Sequence, residues 1–420
     1  MIQIKLSSKF EWFLAILIAV FIKLFILIQI LGKYDFRSPD SPAYLLLSKN
    51  LAESYLGGKN SYSDLSLLRT PGYPFFLNIF STSVSKVILA QIFISIAISI
   101  VLVLIVRKLS QSDSKIFSFA VFIISQIETS LFVYSYKILT EMLFAFLITL
   151  FIYLLLLIKN IKNVLYAPLL FVILIFAMLV RPIGIVFVIV FAVLIFITPS
   201  RSLYVVLFLI SLLIIGTYSF HNYSKSGIFV MSTVQNVNLL MYEGAGAKAI
   251  SVRSTLGITQ SNENSLRNYK LGDNPTVYEI DNYNFNRGLE LILENKISFI
   301  RLHIVGVAKI LFGPNKFELN ELFSAISPIF ESRFLEYLVV IFSLLTTLFI
   351  SFFGFVGAGY FFKYKETQFL SVFLFVYLIF TSGANAYGRF RAPIAPILII
   401  FASLFVNHIY RTWKQIKSNN

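Results

Sequence analysis

The chain has no cysteine among its 420 residues, and it has three histidines and few charged residues. The lack of cysteine excludes disulfide bonds, a thiolate nucleophile and a cysteine-ligated metal. His221, His303 and His408 are far apart in the sequence, so a histidine-rich metal cage is not expected. Charged residues make up 13% of the chain, about half of the roughly 25% that is usual in soluble domains.

Apolar residues are abundant instead, at 58% of the chain with a mean hydropathy of +0.82. This composition predicts an all-α polytopic membrane protein. Because a membrane span needs about 20 apolar residues, ten spans are predicted near 11–31, 86–106, 116–134, 138–158, 163–180, 183–198, 202–220, 335–362, 367–384 and 392–410. The segment 297–312 is an eleventh candidate, but it carries Arg301, His303 and Lys309. We predict that it forms an interfacial or re-entrant helix.

The net charge of +15 is distributed as a topology signal. Lys and Arg lie mostly at the ends of apolar runs, which is typical of membrane topology and lipid contact and argues against nucleic-acid binding. Basic residues at every second turn place those turns in the cytoplasm: Lys5, Lys9, Arg107, Lys108, Lys115, Lys159, Lys162 and Arg201. The remaining large segments, about 32–85 and 221–333, are then predicted outside, within one domain that spans residues 1–420.

Polar residues interrupt the apolar chain in four short segments, and the predicted threading places all of them on the outer side. They are Asp40-Ser41 with Arg69-Thr70-Pro71-Gly72-Tyr73-Pro74, then Glu141, then Arg181-Pro182, then Arg389-Phe390-Arg391. Carboxylates and guanidinium groups on one side of a bilayer could together bind an anionic, lipid-linked substrate.

Each of these residues also has a structural interpretation. Asp40 precedes Pro42 at the predicted start of a surface helix, where an aspartate often only caps the helix. Asp35 is a second carboxylate of the same ambiguity. Glu141 could be neutralised by Lys137 at a helix start, although an ionisable group at membrane depth is a functional candidate by default.

The arginines have the same two interpretations. Arg69 lies before a stiff turn and could anchor to headgroups or clamp a phosphate, with Tyr73 in the aromatic belt. Arg181, Arg389 and Arg391 could mark turns at the interface. Together with Arg69 they place four guanidinium groups toward one compartment, for which a phosphate diester or pyrophosphate is the common ligand. Lys23, near the middle of the first span, requires an internal partner or a polar cavity.

The order of these motifs resembles the type C glycosyltransferases, and in particular the bacterial branch related to protein O-mannosyltransferases and lipid A aminoarabinose transferases. The resemblance is carried by Asp-Ser-Pro-Ala-Tyr, Arg-Thr-Pro-Gly-Tyr-Pro, Leu-Thr-Glu, Val-Arg-Pro and Tyr-Gly-Arg-Phe-Arg-Ala-Pro in this order, at 40–44, 69–74, 139–141, 180–182 and 387–393. It implies a helix bundle of about 10–11 spans with extracytoplasmic surface helices. The segment 221–296 matches the family only loosely.

The resemblance also implies an activity. Such enzymes move a hexosyl or pentosyl unit from a polyprenyl-phosphate carrier to a lipid, glycan or protein acceptor outside the cytoplasmic membrane. Asp40 falls on the family's catalytic base, and Glu141 falls on a second acidic position. The positions expected to bind the donor are Arg69, Tyr73, Arg181, Arg389 and Arg391. Some members carry an acidic pair where Asp40 is followed by Ser41 here, so neither a metal nor another cofactor is expected.

Two other functional classes remain open, and a catalytically inactive scaffold or assembly partner is a third possibility. A lipid or solute transporter would also be helical and basic, but it should show paired repeats and helices broken at mid-membrane. An O-antigen-type polymerase or ligase would share the donor and a large outer loop. The abundance of Phe, Ile, Lys and Asn suggests an AT-rich bacterial genome and therefore the inner membrane, with the active site toward the periplasm or exterior.

Overall fold

A computed structural model of the chain describes residues 8–57, 64–112, 114–158, 165–198, 201–327 and 332–419. All regular elements in these ranges are helical. Lys5, Lys159 and Lys162, which contribute to the topology prediction, lie outside the described residues, as do 58–63 of the first outer segment and 328–331 of the second.

The helices follow one another along the whole chain. In order they are α1 Ser8–Ile30, α2 Ser41–Lys49, α3 Leu51–Leu56, α4 Asp64–Leu68, α5 Gly72–Ile79, α6 Val84–Ser110, α7 Lys115–Ile127, α8 Thr129–Tyr134, α9 Thr140–Ile158, α10 Ala167–Val180, α11 Gly184–Ile197, α12 Arg201–Ser226, α13 Val234–Asn238, α14 Ala245–Ser251, α15 Leu256–Leu271, α16 Val277–Glu294, α17 Lys296–Phe312, α18 Lys316–Ile326, α19 Arg333–Phe361, α20 Gln368–Thr381 and α21 Ala395–Asn419. A π-helical turn covers Leu239–Gly244, and a 3-10 turn covers Gly388–Arg391.

Seven helical segments in the described ranges are long and apolar enough to cross a membrane: α1, α6, α9, α12, α17 with α18, α19 and α21. Four shorter apolar helices, α7, α10, α11 and α20, have 13 or 14 residues. Many of their large apolar side chains are exposed, such as Phe21 and Phe352, as expected of surfaces that face lipid. The chain is therefore an all-α multi-pass membrane protein, and each of the ten predicted spans overlaps one of these helices.

One predicted span is divided in the structure, and one questionable segment is a helix. The run 116–134 is divided into α7 and α8, because the Glu128 side chain accepts a hydrogen bond from the backbone N–H of Leu131 and so caps a new helix. The segment 297–312 forms α17 with bounds within one residue of the prediction, and together with α18 it makes up a 31-residue candidate span. Gly313 to Asn315 separate the two helices. The interfacial or re-entrant placement of α17 stays a prediction.

Close backbone approach holds the bundle together. Gly354 and Gly357 of α19 lie against α21, where an added Cβ would come within 2.7 Å of the carbonyl oxygens of Leu398 and Phe401. Small residues allow membrane helices to pack at such distances, where van der Waals contact provides much of the stability. Helices α6, α9, α10, α11 and α20 complete the core around buried Phe, Leu and Ile side chains.

The bundle has two distinct ends. At one end, Lys115 at the start of α7 pairs with Glu11 near the start of α1. The other end, called here the cluster end, carries the turns before α2, α5, α9 and α21. The segment from α13 to α16 packs at the cluster end: Thr233 N–H and Ser232 Oγ donate to the carbonyl oxygens of Leu67 and Leu68, and Gln235 donates to that of Pro182.

Candidate active site

Five side chains from distant parts of the chain form one line of ion pairs at the cluster end. Arg69 Nη2 lies 2.7 Å from Asp40 Oδ1, and Arg389 Nη1 lies 2.9 Å from Asp40 Oδ2. Arg389 also places its Nε 2.6 Å from Glu141 Oε1, which lies 3.2 Å from Arg181 Nη1. Charges of opposite sign therefore alternate along the line, which we call the Asp40 network, and Arg389 bridges its two carboxylates.

The start of α2 positions Asp40. Asp40 occupies the N-cap position and Pro42 follows in the first turn, but the Asp40 side chain makes no capping hydrogen bond. The neighbouring Ser41 hydroxyl donates to the carbonyl oxygen of Ile138 and accepts from Ser38 N–H. Ser41 therefore attaches this turn to the start of α9, while the Asp40 carboxylate stays directed at the two arginines.

Arg69 is held by the turn between α4 and α5. Gly72 lies so close to α10 that a Cβ would approach the backbone of Leu179 and Val180 to 2.6 Å. This contact brings the Arg69 turn against the end of α10, where Arg181 follows. The Tyr55 hydroxyl donates to the carbonyl oxygen of Arg69, and the Arg69 Nε is buried without a hydrogen-bond partner.

Glu141 lies in the first turn of α9, where its side chain is completely buried. The sequence suggested Lys137 as its counter-charge, and this was wrong. The Lys137 ammonium instead binds the Glu321 carboxylate of α18 and the carbonyl oxygen of Asp35. Glu141 is neutralised by Arg181 and Arg389, because the ends of α10 and of the 3-10 turn converge on the start of α9.

The Asp40 network is accessible mainly through Asp40, whose side chain is 27% exposed and is the most exposed of the five. Burial raises the pKa of this carboxyl, but the charges of Arg389 and Arg69 outweigh burial, so the net pKa lies below its ordinary value. Asp40 is therefore ionised at neutral pH, as an acceptor of a proton must be.

Aromatic rings surround the cationic groups. Arg69 lies over the Tyr44 ring at 5.1 Å, and Arg181 lies 5.8 Å from the rings of both Phe144 and Phe390. Tyr73, predicted for the aromatic belt or a substrate contact, is fully buried and donates its hydroxyl hydrogen bond to Gln91. It packs edge-on against Tyr44, so it supports the wall of the site from behind.

Arg391 is the predicted site residue that lies outside the Asp40 network. Its guanidinium is completely buried, with Nε 2.9 Å from Glu128 Oε1 and Nη1 donating to the carbonyl oxygens of Ile310 and Gly313. It therefore joins α8, α17 and the 3-10 turn. The prediction that Arg391 lies at the membrane interface is wrong, because its side chain is buried within the bundle. Sequence reasoning missed Glu128, although a glutamate within an apolar run was the available signal.

Two further acidic groups lie apart from the network. Asp35 is exposed and accepts a hydrogen bond from Arg37 N–H. Glu243, in the π-helical turn, has its pKa raised to about 7 by burial and lies 3.5 Å from His303 Nε2. Asp35 was a sequence candidate beside Asp40, whereas Glu243 was not noticed in the sequence. Among the residues that the structure describes, no three His, Asp or Glu side chains group as metal ligands.

No known protein family and no curated protein matches this chain. The geometry of the Asp40 network therefore carries the functional argument.

Proposed function

We propose that the protein is a membrane glycosyltransferase that moves a sugar from a polyprenyl-phosphate carrier to a lipid, glycan or protein acceptor. The observation that carries this proposal is the Asp40 network. Its partly exposed Asp40 carboxylate lies between Arg69 and Arg389, and Arg181 lies at the same end of the membrane bundle. By the distribution of basic residues, that end would face the periplasm or exterior of a bacterial inner membrane.

The proposed reaction is a single displacement at the anomeric carbon of the donor. The acceptor oxygen forms a bond to this carbon while the bond to the phosphate oxygen breaks and its electron pair leaves with the phosphate. Asp40 takes the proton of the acceptor hydroxyl, as a general base. The products are the glycosylated acceptor and polyprenyl phosphate, and the configuration at the anomeric carbon is inverted.

The arginines supply the charge that this step needs. The leaving oxygen becomes negative as its bond breaks, and guanidinium groups close to it stabilise the transition state. Arg69 is the best placed, since it adjoins Asp40 and its buried Nε has no partner. Guanidinium groups also match phosphate geometry in two-point contacts.

Glu141 has a positioning role in this proposal. Its buried carboxylate pairs with both Arg181 and Arg389. It therefore orients the two guanidinium groups and reduces the electrostatic repulsion between them, without contacting a substrate. Tyr73 packs behind Tyr44, and Arg391 supports the 3-10 turn that carries Arg389. The sequence had placed these side chains at the substrate itself.

Sugar transfer by the purified protein in lipid, with labelled polyprenyl-phosphate sugars, tests the proposal. Asp40→Asn removes the base with almost no change of shape and should lower the rate by about 100-fold or more, because general bases contribute about 10²–10⁴-fold. Asp35→Asn is the matched control, since Asp35 lies in the same segment but outside the Asp40 network. It should retain the wild-type rate.

The outcomes separate the role of the base from the activity itself. Release of polyprenyl phosphate by wild type and by Asp35→Asn, but not by Asp40→Asn of equal thermal stability, would support the proposal. Equal release by all three proteins would refute the role of Asp40. A wild-type protein that moves the intact lipid-linked sugar between leaflets without consuming it would be a transporter instead.

A further inference from the structure

Lys23 has a buried amino group, and no acidic side chain pairs with it among the described residues. It lies on α1, seven residues before the end of the helix at Ile30, and its side chain is 3% exposed. Its ammonium contacts the rings of Phe132 and Tyr136, at 5.2 and 5.9 Å from their centroids. No ion pair of Lys23 is found within the described part of the chain. Unpaired charges at membrane depth are costly and usually functional.

The lysine lines a cavity of about 840 Å³ between α1, α7 and α19. This volume falls within the range of about 300–1,000 Å³ that small-molecule sites occupy. The apolar side chains along its edges are exposed, among them Leu14, Ile22, Ile123 and Phe342, so the cavity opens on a flank of the bundle that faces lipid.

The cavity is elongated along α1. Its lining extends along α1 from Glu11 to Lys23, about 18 Å at 1.5 Å per residue. Leu319 and Phe323 of α18 lie across the end near Lys23, and Phe323 stacks on Phe132 at 6.4 Å. An apolar chain could therefore extend along α1 with its head beside the lysine, beneath α18.

The polar groups of the lining are few, and most of them are paired. Glu11 pairs with Lys115, and the hydroxyls of Thr129 and Ser343 hydrogen-bond to each other. Gln126 donates to the Ser95 carbonyl oxygen, while its own Oε1 is buried without a partner. The lysine ammonium is thus the principal free donor. A headgroup with many polar atoms would leave some of them buried without hydrogen bonds, which is unfavourable.

We propose that this cavity binds a single-chain amphiphile with a small anionic head, a long-chain fatty acid, whose carboxylate pairs with Lys23. The one cation matches one carboxylate, and the apolar groove along α1, α7 and α19 matches one extended chain. The site is separate from the Asp40 network and does not depend on glycosyl transfer. Its occupant enters sideways from the bilayer.

Photo-labelling of the full-length protein in neutral phosphatidylcholine nanodiscs tests this site. The probes are palmitic acid with a terminal diazirine and the matching alcohol, which has the same chain without the charge. Labelled peptides are mapped by mass spectrometry. The acid should label α1, α7 and α19 about tenfold more than the alcohol, because a charge-assisted contact of this kind is worth about 1.4 kcal/mol or more.

Two pairs of variants sharpen the result. Lys23→Met should lower labelling by the acid to the level of the alcohol, whereas Lys33→Met, an exposed lysine past the end of α1, should change nothing. Ala19→Trp fills the groove and should abolish labelling by both probes. Val193→Trp is its control, since Val193 is exposed on α11 away from the cavity.

Three results would overturn the proposal. The first is equal labelling of the groove by acid and alcohol, and the second is unchanged labelling by the acid in Lys23→Met. The third is competition by phosphatidylglycerol as strong as that by unlabelled palmitic acid, which would assign the cavity to a two-chain lipid. Each measurement is independent of sugar transfer, so neither proposal fails with the other.

Discussion

Replacing Glu128 by glutamine tests the buried pair that joins α8 to the 3-10 turn. The side chains of Glu128 and Arg391 are each 1% exposed, and the two charged groups lie 2.9 Å apart. Glutamine keeps the shape but removes the negative charge. Arg391 is then a buried cation whose remaining acceptors are amide and carbonyl oxygens, including those of Ile310 and Gly313.

Removal of one partner from a buried ion pair costs about 3–5 kcal/mol. Arg391 Nε donates to Oε1 and the Leu131 N–H donates to Oε2, so the single amide oxygen of glutamine can keep only one of these bonds and the NH2 group faces the other donor. We therefore expect a loss of about 4–5 kcal/mol for Glu128→Gln, in the upper part of this range. A second substitution, Arg391→Met, removes the uncompensated cation. The double variant should therefore be more stable than Glu128→Gln alone.

Unfolding in detergent, followed by the fluorescence of Trp12 and Trp413, measures the loss. Glu290→Gln is the control: Glu290 is 54% exposed and pairs with Arg287 at 2.7 Å, and exposed pairs contribute about 0–1 kcal/mol. If Glu128→Gln destabilises the protein no more than Glu290→Gln does, the inference that burial makes this pair essential is refuted.

Three further predictions concern the cluster end. Arginines hold the pKa of Asp40 below its ordinary value of 3.8 despite its burial. The ionised carboxylate therefore stabilises the fold above pH 3.8, and this stabilisation is lost as the pH falls through the lowered pKa of the folded state. Arg69→Met should move this loss of stability to higher pH, as measured by melting curves at several pH values. Gly72→Ala should cost about 1–3 kcal/mol in the same assay, unlike Gly257→Ala, whose Cβ would meet open space. Thr276→Ala should cost about 1 kcal/mol and speed hydrogen exchange at the start of α16, whose capping box it breaks.

The membrane-spanning helices could be predicted closely because apolarity is a local property. An apolar run of about 20 residues has few alternatives to a helix in lipid, where every backbone polar group must be paired within the chain. The predicted ends differ by a few residues from those of α6, α11 and α19, whereas α12 continues to Ser226 and α21 to Asn419, well past the predicted ends at 220 and 410. The division of 116–134 could not be predicted from hydropathy, because it depends on the cap that Glu128 makes.

The role of each polar residue was much harder to predict. Asp40 has the local sequence of a helix cap, yet its carboxylate pairs with Arg69 and Arg389 and makes no capping hydrogen bond. Lys137 lies four residues before Glu141, yet it binds Glu321 of a later helix. In both cases the local pattern indicated a partner close in sequence, whereas packing brought the side chain against partners from distant parts of the chain.

The sequence by itself determined that this is a helical membrane protein, where most of its spans lie, and which few polar residues interrupt them. Those properties follow from the free energy of placing each residue in lipid, which depends mainly on the residue and its neighbours. Only the tertiary structure decided that Asp40, Glu141, Arg69, Arg181 and Arg389 form one network while Arg391 pairs with Glu128. Ion pairs form between side chains that packing brings within about 4 Å, and packing depends on the whole chain.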